Sequence, residues 1–464
     1  MTLSRRDFLR AAGAAGVLLA TRPSFAAAPT TGASRASRLF RGTRLAHADL
    51  HNHSHLSDGA GDPEATYATI RKHGLDVAAL TDHSTLSWSA LGIADPCGKD
   101  GSPPHGTVDD CQSLAGINEA GWLRAGLLAD AANAGSFTAI RGFEWSSPFL
   151  GHMNVWFSSR WIDPTHTLGW SPTHVPQDLY DNLDIPPELV AALDEVARAN
   201  PTRGSGMQGF YDWLNKPREA PVFGGGLDGI AGFNHPGRET GRFDFFRYFP
   251  QMAGRVVSME IFNRSEDYIF EAYDAGRPSP LTECLNAGWR VGLIGVADEH
   301  GTDWGGFTNK GRAGLWVSEM SRRGVKESML ARRVFAARVA GLRLDAAANG
   351  TRMGGIVPHR SGPVRFALDL DRGRDHWGLP VRVQVLRPGS KYPEVVHQFD
   401  TRFRTGQQPI IRFSVPLNVD DGSWVVLRIV DPTLPKKSES GPASPPWDKF
   451  SLAYTSPFWL EPRA

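Results

Sequence analysis

The segment Asp49–Gly59 of this 464-residue chain, DLHNHSHLSDG, concentrates side chains that bind metal ions. It holds three of the chain's 15 histidines together with two aspartates. His51 and His53 stand two residues apart, so on a β-strand both side chains point the same way and can share one cation. A single H-x-H spacing also arises by chance on protein surfaces, so the rest of the sequence must decide between these interpretations.

Other ionisable residues follow apolar, strand-like runs further along the chain. Asp82 and His83 in LTDHS are neighbours on opposite faces of a strand, so one could bind metal while the other orients an imidazole. Glu144 in GFEWS follows a buried run, where an unpaired carboxylate is costly and a bridging role between two metals would remove that cost. The remaining candidates at such positions are His152, His235, Asp298 and His300.

Two arginines could bind an anionic substrate close to these residues. Arg238 in NHPGRE and Arg264 in FNRSE come directly after strand-like runs. A guanidinium forms paired hydrogen bonds with phosphate or carboxylate oxygens, although surface salt bridges are an equally good interpretation. His55 shares the spacing of His51 and His53, yet we expect it at the rim rather than among the ligands.

The elements that must bring these residues together alternate between strands and helices from about residue 44 to 318. Strand-like runs cover 75–84, 136–146, 151–159, 229–237, 256–263 and 290–300, and helical patterns cover 62–74, 117–135, 186–200 and 279–290. This alternation predicts a parallel α/β architecture, either an open sheet or a barrel. Most candidate residues stand at strand ends, and sites of α/β proteins form at the carboxyl ends of their strands.

The pattern changes in two places. Residues 159–228 are rich in Pro, Gly and Thr, and we interpret them as an insertion over the mouth of the site. A long helix is predicted over about 323–340, at the end of the α/β region. From residue 343 to 464 only alternating, strand-like segments follow, which is typical of a β-sandwich domain.

The N-terminus has the pattern of a twin-arginine export signal. Arg5 and Arg6 precede Phe8 and a short Ala-rich apolar segment, and SFA at 24–26 offers small residues for cleavage. We expect residues 1–26 to engage the twin-arginine export machinery and the mature protein to be periplasmic or secreted, without a membrane segment. A retained N-terminal anchor is the alternative.

Composition excludes several classes of function. Lys and Arg total 50 against 49 Asp and Glu, so the overall charge indicates neither a nucleic-acid nor a membrane-surface partner. The three cysteines, Cys97, Cys111 and Cys284, form no C-x-x-C pattern, which argues against a thiolate zinc site. Cys97 and Cys111 flank a Gly- and Pro-rich loop, and whether they are bridged stays open.

The ordered set HNHSHLSDG, LTDHS, GFEWS followed by GH, NHP and VADEH resembles the polymerase-and-histidinol-phosphatase (PHP) superfamily of metal-dependent hydrolases. FEWSSPFLGHMNVW, and ARRVFAARVAG leading to NGTRMGG, are most similar to the branch named for carbaryl hydrolase. The resemblance implies a distorted (β/α)7-type barrel over residues 40–342 and a smaller all-β, sandwich-like domain over 343–464.

The resemblance also implies two or three divalent cations, of Zn, Mn or Fe, and assigns their ligands. His51, His53, Glu144 and Asp298 would hold the first cation, and Glu144 would bridge to a second held by His152 and His235. Asp58, His83 and His300 would hold a third, with Asp58 the least secure of the set because its offset from His53 varies in the superfamily.

Such a centre predicts a hydrolase of small-molecule esters. A water bridging two cations becomes a hydroxide nucleophile near neutral pH, so no Ser or Cys nucleophile is needed. Phosphoric esters fit best, because phosphoryl oxygens can bridge several cations. Hydrolysis of carbamates or carboxylic esters is one alternative, and a metal-binding scaffold with a ligand-binding β-domain is another.

Overall fold

The computed structural model describes most of the chain from residue 35 onwards. The described residues are 35–84, 116–147, 150–167, 206–221, 224–237, 242–271, 273, 276–306, 310–373, 376, 378–402, 410–436 and 441–462. The predicted export signal, Cys97 and Cys111, the helical pattern at 186–200 and Arg238 lie outside these residues.

The described elements form a mixed α/β structure with few helices. The strands up to residue 337 are β1 Arg44–Asp49, β2 Val77–Leu80, β3 His83–Ser84, β4 Thr138–Ser147, β5 Gly151–Trp156, β6 Ile230–Phe233, β7 Val256–Asn263, β8 Glu266–Asp267, β9 Gly292–Val296, β10 Arg312–Val317 and β11 Val334–Ala337. The helices are α1 Pro63–Lys72, α2 Glu119–Ala132, α3 Pro164–Thr167, α4 Gly206–Leu214, α5 Pro280–Asn286 and α6 Arg322–Leu330. Among the described residues, no helix is long and apolar enough to span a bilayer.

The first two helices begin where their sequences place capping residues. The Asp62 side chain accepts the backbone N–H of Glu64, and Pro63 occupies the first turn of α1. The Asn118 side chain accepts the N–H of Gly121 at the start of α2. Both helices therefore fall inside the segments predicted from the sequence.

Strand pairing runs in a circuit that returns to its first strand. β1, β2 and β4 pair in parallel, β5 joins β4 and β6 in antiparallel fashion, and β6, β7 and β9 again pair in parallel. A parallel bridge between Asn52 and Glu299 connects the end of β9 to the end of β1. The carboxyl ends of β1, β2, β4, β6, β7 and β9 therefore lie along one edge.

The regular helix after every strand that a (β/α)7-type barrel implies is not seen in the described residues. β4 and β5 pair as neighbours along the chain, with Ser147 opposite Gly151. Because β5 runs antiparallel, its first residues lie at the same edge as the last residues of β4. This hairpin brings His152 beside Glu144, although the sequence indicated a strand there without its direction.

Part of the predicted insertion belongs to the hydrophobic core. α4 buries Met207, Phe210 and Trp213, and the Phe210 and Trp213 rings pack against Trp145 and Phe143 of β4. Burial of each of these large side chains stabilises the fold by about 2 kcal/mol. α4 thus supports the strand that carries Glu144, while residues 168–205 lie outside the described residues, so the insertion over the site stays a prediction.

The long helix predicted over 323–340 is also wrong. α6 ends at Leu330, Arg332 adopts φ 52°, and β11 follows at Val334–Ala337. β11 pairs with both β10 and β20, and its four residues are buried. These non-local pairings outweigh the helical propensity of the Ala- and Arg-rich segment.

From residue 343 the described regular structure is almost entirely strand. The strands are β12 Arg343–Ala348, β13 Thr351–Arg352, β14 Ile356–Pro358, β15 Ser361–Asp371, β16 Pro380–Arg387, β17 Glu394–Arg402, β18 Ile411–Asn418, β19 Trp424–Pro435, β20 Lys449–Thr455 and β21 Phe458–Glu461. β12, β13, β15 and β18 form one sheet, whereas β16, β17, β19 and β20 continue the sheet of β10 and β11. A shared apolar core fills the space between them.

Candidate metal centre

His51 and His53 lie directly after β1 and are fully buried. The His51 carbonyl accepts the N–H of Asp298 at 3.0 Å, and the His53 N–H donates to Glu299 at 2.9 Å. These backbone bonds fix both histidines against the end of β9. Their Nε2 atoms lie 3.0 Å apart, as two ligands of one cation would.

A first group of ligand atoms surrounds this histidine pair. Glu144 Oε1 is 3.2 Å from His51 Nε2, and Glu144 Oε2 is 3.5 Å from His53 Nε2. Asp298 Oδ1 lies 3.4 Å from His51 Nε2 and 3.2 Å from His53 Nε2. The four residues predicted to hold the first cation therefore meet in space.

A second group shares Glu144 with the first. Glu144 Oε1 lies 3.3 Å from His152 Nδ1 and 3.3 Å from His235 Nε2. His152 comes from the antiparallel strand β5, and His235 follows the end of β6. The geometry places Glu144 between the two groups, as a bridging carboxylate requires.

A third group lies on the other side of His53. Asp58 Oδ2 is 3.4 Å from His83 Nε2 and 3.3 Å from His300 Nε2. The His53 ring packs 4.3 Å from the His83 ring and 4.0 Å from the His300 ring, centroid to centroid. His83 Nδ1 also approaches Glu144 Oε2 at 2.7 Å, which links this group to the first.

The structure thus brings all nine predicted ligands together, and their role as metal ligands stays a prediction. The donor set fits divalent cations: histidine nitrogens and carboxylate oxygens converge within 4.8 Å in three overlapping subsets. His152 Nδ1 is buried and makes no hydrogen bond within the described residues. His55 is exposed, in contrast to the buried His51 and His53.

The carboxylates of the centre are held in their charged form. Burial alone would raise the pKa of Glu144, but His51, His83 and His152 outweigh burial and hold that pKa well below its usual value. The pKa of Asp298 is likewise lowered, because the charges and hydrogen bonds of His51 and His53 outweigh its burial. Ionised carboxylates in a buried cluster are well suited to binding a cation.

His53 is held in its neutral form. Burial, together with the charges of His300 and His83, lowers the pKa of His53 to about 3. A neutral imidazole keeps a lone pair for a metal, whereas a protonated one has none. The pKa of Asp58 is lowered, because His83 and His300 outweigh burial, so the third group also carries a charged carboxylate.

The backbone is strained at residues that face the centre. His235 has φ 22° and Asp298 has φ 48°, while Arg264 has φ 50°. Residues other than glycine rarely adopt this left-handed region, and such strain concentrates at functional sites. At His235 and Asp298 it turns the chain where each strand ends.

The partners of the Asp82 carboxylate in the described part of the chain are serines, so its predicted role in orienting an imidazole stays a prediction. Its carboxylate accepts hydrogen bonds from the Ser54 N–H at 2.8 Å, the Ser54 hydroxyl at 3.0 Å and the Ser57 hydroxyl at 2.8 Å. Burial raises the pKa of Asp82 to about 6, although these hydrogen bonds oppose the shift. Asp82 therefore anchors the loop that carries Asp58, a short-range role that the LTDHS pattern does not reveal.

Arg264 lies at the exposed side of the centre. Its Nε donates to the Asp298 carbonyl at 3.1 Å, and its Nη2 lies 2.9 Å from His300 Nδ1. The side chain is 46% exposed, so part of the guanidinium faces solvent beside the first and third groups. This position suits contact with a substrate anion.

Sequence reasoning missed the residues that hold the ligands in place. Glu260 Oε1 lies 2.8 Å from His51 Nδ1, and the Asn234 amide donates to Glu144 Oε1 at 2.6 Å. Glu260 stands in VVSMEIFN, an acid inside an apolar run, which is the signal that singled out Glu144 in GFEWS. Asn234 precedes His235 in NHP, and the motif predicts a role for the histidine alone.

No protein-family model matches the chain, and no curated protein matches it. Several solved structures align with it at low similarity, including the following three. A two-domain protein from Bacteroides vulgatus, described as containing a predicted PHP-like metal-dependent phosphoesterase, has 15% identity and a TM-score of 0.38, over 91% of this chain and 100% of that chain. A proposed metal-dependent phosphoesterase from Bifidobacterium adolescentis has 14% identity and a TM-score of 0.25, over 55% and 88%.

The third is an amidohydrolase from Chromobacterium violaceum with bound sulfate and no metal. It has 15% identity and a TM-score of 0.25, over 55% of this chain and 87% of that chain.

Proposed function

We propose that this chain is a metal-dependent hydrolase of phosphoric esters from the carbaryl-hydrolase-like branch of the PHP superfamily. One observation carries the proposal: nine His, Asp and Glu side chains converge in three groups around Glu144, at the edge where the parallel strands end. A parallel sheet places sites at this edge. A protein that only used the centre for stability would have little need for three overlapping groups.

The three groups would hold two or three divalent cations of Zn, Mn or Fe, with Glu144 shared between the first and second. When bound, such cations lower the pKa of water and neutralise charge on substrate oxygens. The chain's contribution is to keep Glu144 and Asp298 ionised, to keep His53 neutral, and to exclude water from the buried side of the centre.

Arg264 favours a phosphoric ester over a neutral ester. Its partly exposed guanidinium stands beside Asp298 and His300 and offers hydrogen-bond donors to an anionic oxygen. A phosphoryl group carries negative charge before and during its hydrolysis, whereas the carbonyl of a carbamate or carboxylic ester starts neutral. Arg264 would thus bind and orient the phosphoryl group.

A metal assay combined with a substrate panel tests this function. The purified mature protein should contain at least two equivalents of transition metal and should hydrolyse aryl phosphomonoesters or diesters, with the activity lost on chelation. Activity on an aryl carbamate or carboxylic ester, with none on either phosphoric ester, would overturn the choice of substrate. Activity that survives complete metal removal would overturn the mechanism.

Export to the periplasm or beyond the cell is a further part of the proposal, supported by Arg5 and Arg6 ahead of the apolar segment and SFA at 24–26. Because the twin-arginine machinery carries folded proteins, the chain would acquire its cations before export. Replacement of both arginines by lysine should leave the full-length protein in the cytoplasm. Unchanged cleavage and export of that variant would contradict this route.

A further inference from the structure

Glu260 lies at the centre of β7 and is fully buried. Its carboxylate contacts residues of the first two groups at once. Oε1 lies 2.8 Å from His51 Nδ1, and Oε2 accepts the backbone N–H of His235 at 2.8 Å. His51 belongs to the first group and His235 to the second, so one carboxylate contacts a predicted ligand of each cation.

Two asparagine amides complete the surroundings of this carboxylate. Asn263 Nδ2 donates to Oε2 at 2.8 Å, and Asn154 Nδ2 donates to Oε1 at 3.4 Å. Both asparagines are buried. Each oxygen of Glu260 therefore faces two nitrogen atoms.

All four of these nitrogens act as donors when the histidines serve as ligands. The His235 N–H and the two amide NH₂ groups can only donate. If His51 binds a cation through Nε2, its proton must reside on Nδ1, which then donates as well. Four donors around one buried group require a side chain that only accepts, and an ionised carboxylate is the side chain that meets this requirement.

We propose that Glu260 is a positioning residue that serves both cations, an inference that rests on the proposed function. Its Oε1 fixes the tautomer and direction of the His51 ring, so that Nε2 faces His53. Its Oε2 holds the strained backbone of His235 so that the ring reaches Glu144. Loss of the carboxylate should weaken the first and second sites together, although Glu260 binds no metal itself.

Glu260→Gln tests this inference with little change of shape. Glutamine lacks the negative charge that strengthens the hydrogen bonds of both oxygens, so the contacts with His51 and His235 both weaken. On one side of the network its NH₂ also meets two donors. Metal-free wild-type and variant proteins are titrated with Zn²⁺ alone by calorimetry. Partners that orient metal ligands typically change affinity by about 10–100-fold, and we expect a loss of this size at both sites.

The matched control is Glu327→Gln, an exposed glutamate on α6 whose side chain is 55% exposed. It should bind Zn²⁺ as the wild type does. Thermal unfolding of each metal-free protein separates positioning from stability. A lower melting temperature with unchanged Zn²⁺ affinities, or a loss confined to one site, would overturn the inference.

If E260Q does not fold, Asn263→Ala provides the second variant. It removes one donor from Oε2 and leaves the contacts of Glu260 with His51 and His235 in place, so a smaller loss at both sites is expected, and unchanged affinities would overturn the inference. Failure of the proposed function gives a different result: the wild-type protein itself would bind no Zn²⁺. Wild-type binding with an unaltered E260Q variant would overturn the positioning role alone.

Discussion

Buried carboxylates occur in two regions of this molecule, and they have different partners. In the C-terminal strands, Asp369 contacts Arg343 at 3.0 Å, and Asp431 contacts Arg372 at 2.9 Å. In the candidate metal centre, Glu144 and Glu260 instead contact histidines and asparagines. In the two Asp–Arg pairs the carboxylate charge is always balanced, because arginine is permanently charged.

The partners of Glu144 and Glu260 are groups that can be neutral. An imidazole that gives its lone pair to a metal supplies no positive charge, and an amide supplies none at any pH. Without metal, burial opposes protonation, but the charges of Glu144, Asp298 and Glu260 raise the pKa of His51, so a protonated imidazole balances these carboxylates. A bound cation would take over that balance when His51 serves as a ligand. The comparison therefore separates carboxylates that stabilise the fold from carboxylates that await a ligand, and it leads to four predictions.

The largest effect should follow from Glu144→Gln. Because Glu144 contacts residues of all three groups, its loss should abolish both bound Zn²⁺ and phosphoric ester hydrolysis. Metal analysis and a chromogenic phosphoester assay measure the two outcomes on the same preparation. Full activity with a normal metal content would show that Glu144 belongs with the structural carboxylates.

Asp369→Asn should lower the stability of the fold and leave metal binding unchanged. It removes the carboxylate nearest to the buried Arg343 guanidinium, a carboxylate that also pairs with Arg38, while Asp371 stays 3.7 Å from Arg343. The loss should therefore lie near the lower end of that for a broken buried ion pair, about 3 kcal/mol of unfolding free energy. Urea titration measures this loss, while Zn²⁺ content should stay that of the wild type.

Asp400→Asn is the matched control, because Asp400 is 49% exposed beside Arg382 and should cost less than about 1 kcal/mol. Equal losses for both variants would contradict the comparison.

Arg264→Ala should affect the substrate rather than the metal. A hydrogen bond to a charged group is worth about 1.5–3 kcal/mol, so kcat/KM for a phosphoric ester should fall about 10–100-fold. Bound Zn²⁺ and any activity on a neutral ester should change little. Arg323→Ala, 75% exposed on α6, serves as the control. An equal fall for both ester classes would indicate that Arg264 supports the centre and not the phosphoryl group.

The smallest effect concerns His47, a buried histidine in β1. Burial, with a contribution from Arg35, lowers the pKa of His47 to about 3, whereas an unfolded histidine titrates near 6.5. The unfolded state therefore binds more protons below pH 6.5, and stability falls as the pH drops towards 3 by up to about 1.4 kcal/mol per unit.

His47→Gln should remove this contribution in the metal-free protein. The difference in unfolding free energy between wild type and variant should then change between pH 7 and 5.5, as measured by urea titration. The exposed His55, replaced by glutamine, should show no such change. A pH-independent difference for H47Q would mean that burial does not hold His47 neutral.

Much of the centre could be predicted because its ligands follow strand ends in a recognisable order. Local patterns suffice to predict His51, His83 and Asp298, together with the rule that the carboxyl ends of parallel strands meet at one edge of a sheet. The contacts of Asp82 and Glu260 could not be predicted, because their partners are distant in sequence and meet them only in the folded chain. The segment around Arg332 misled for the same reason, since β11 forms through pairing with β10 and β20 that no local propensity reports.

The seam between β1 and β9 has a consequence for how the protein matures. The Asp49 carboxylate accepts the N–H of Ala297, 248 positions away. Close by, the His51 carbonyl accepts the N–H of Asp298. The centre is thus assembled from the beginning and the end of the same circuit of strands. A nascent chain therefore lacks a complete centre until residue 300 has left the ribosome. We expect tight cation binding only after β1 and β9 have come together.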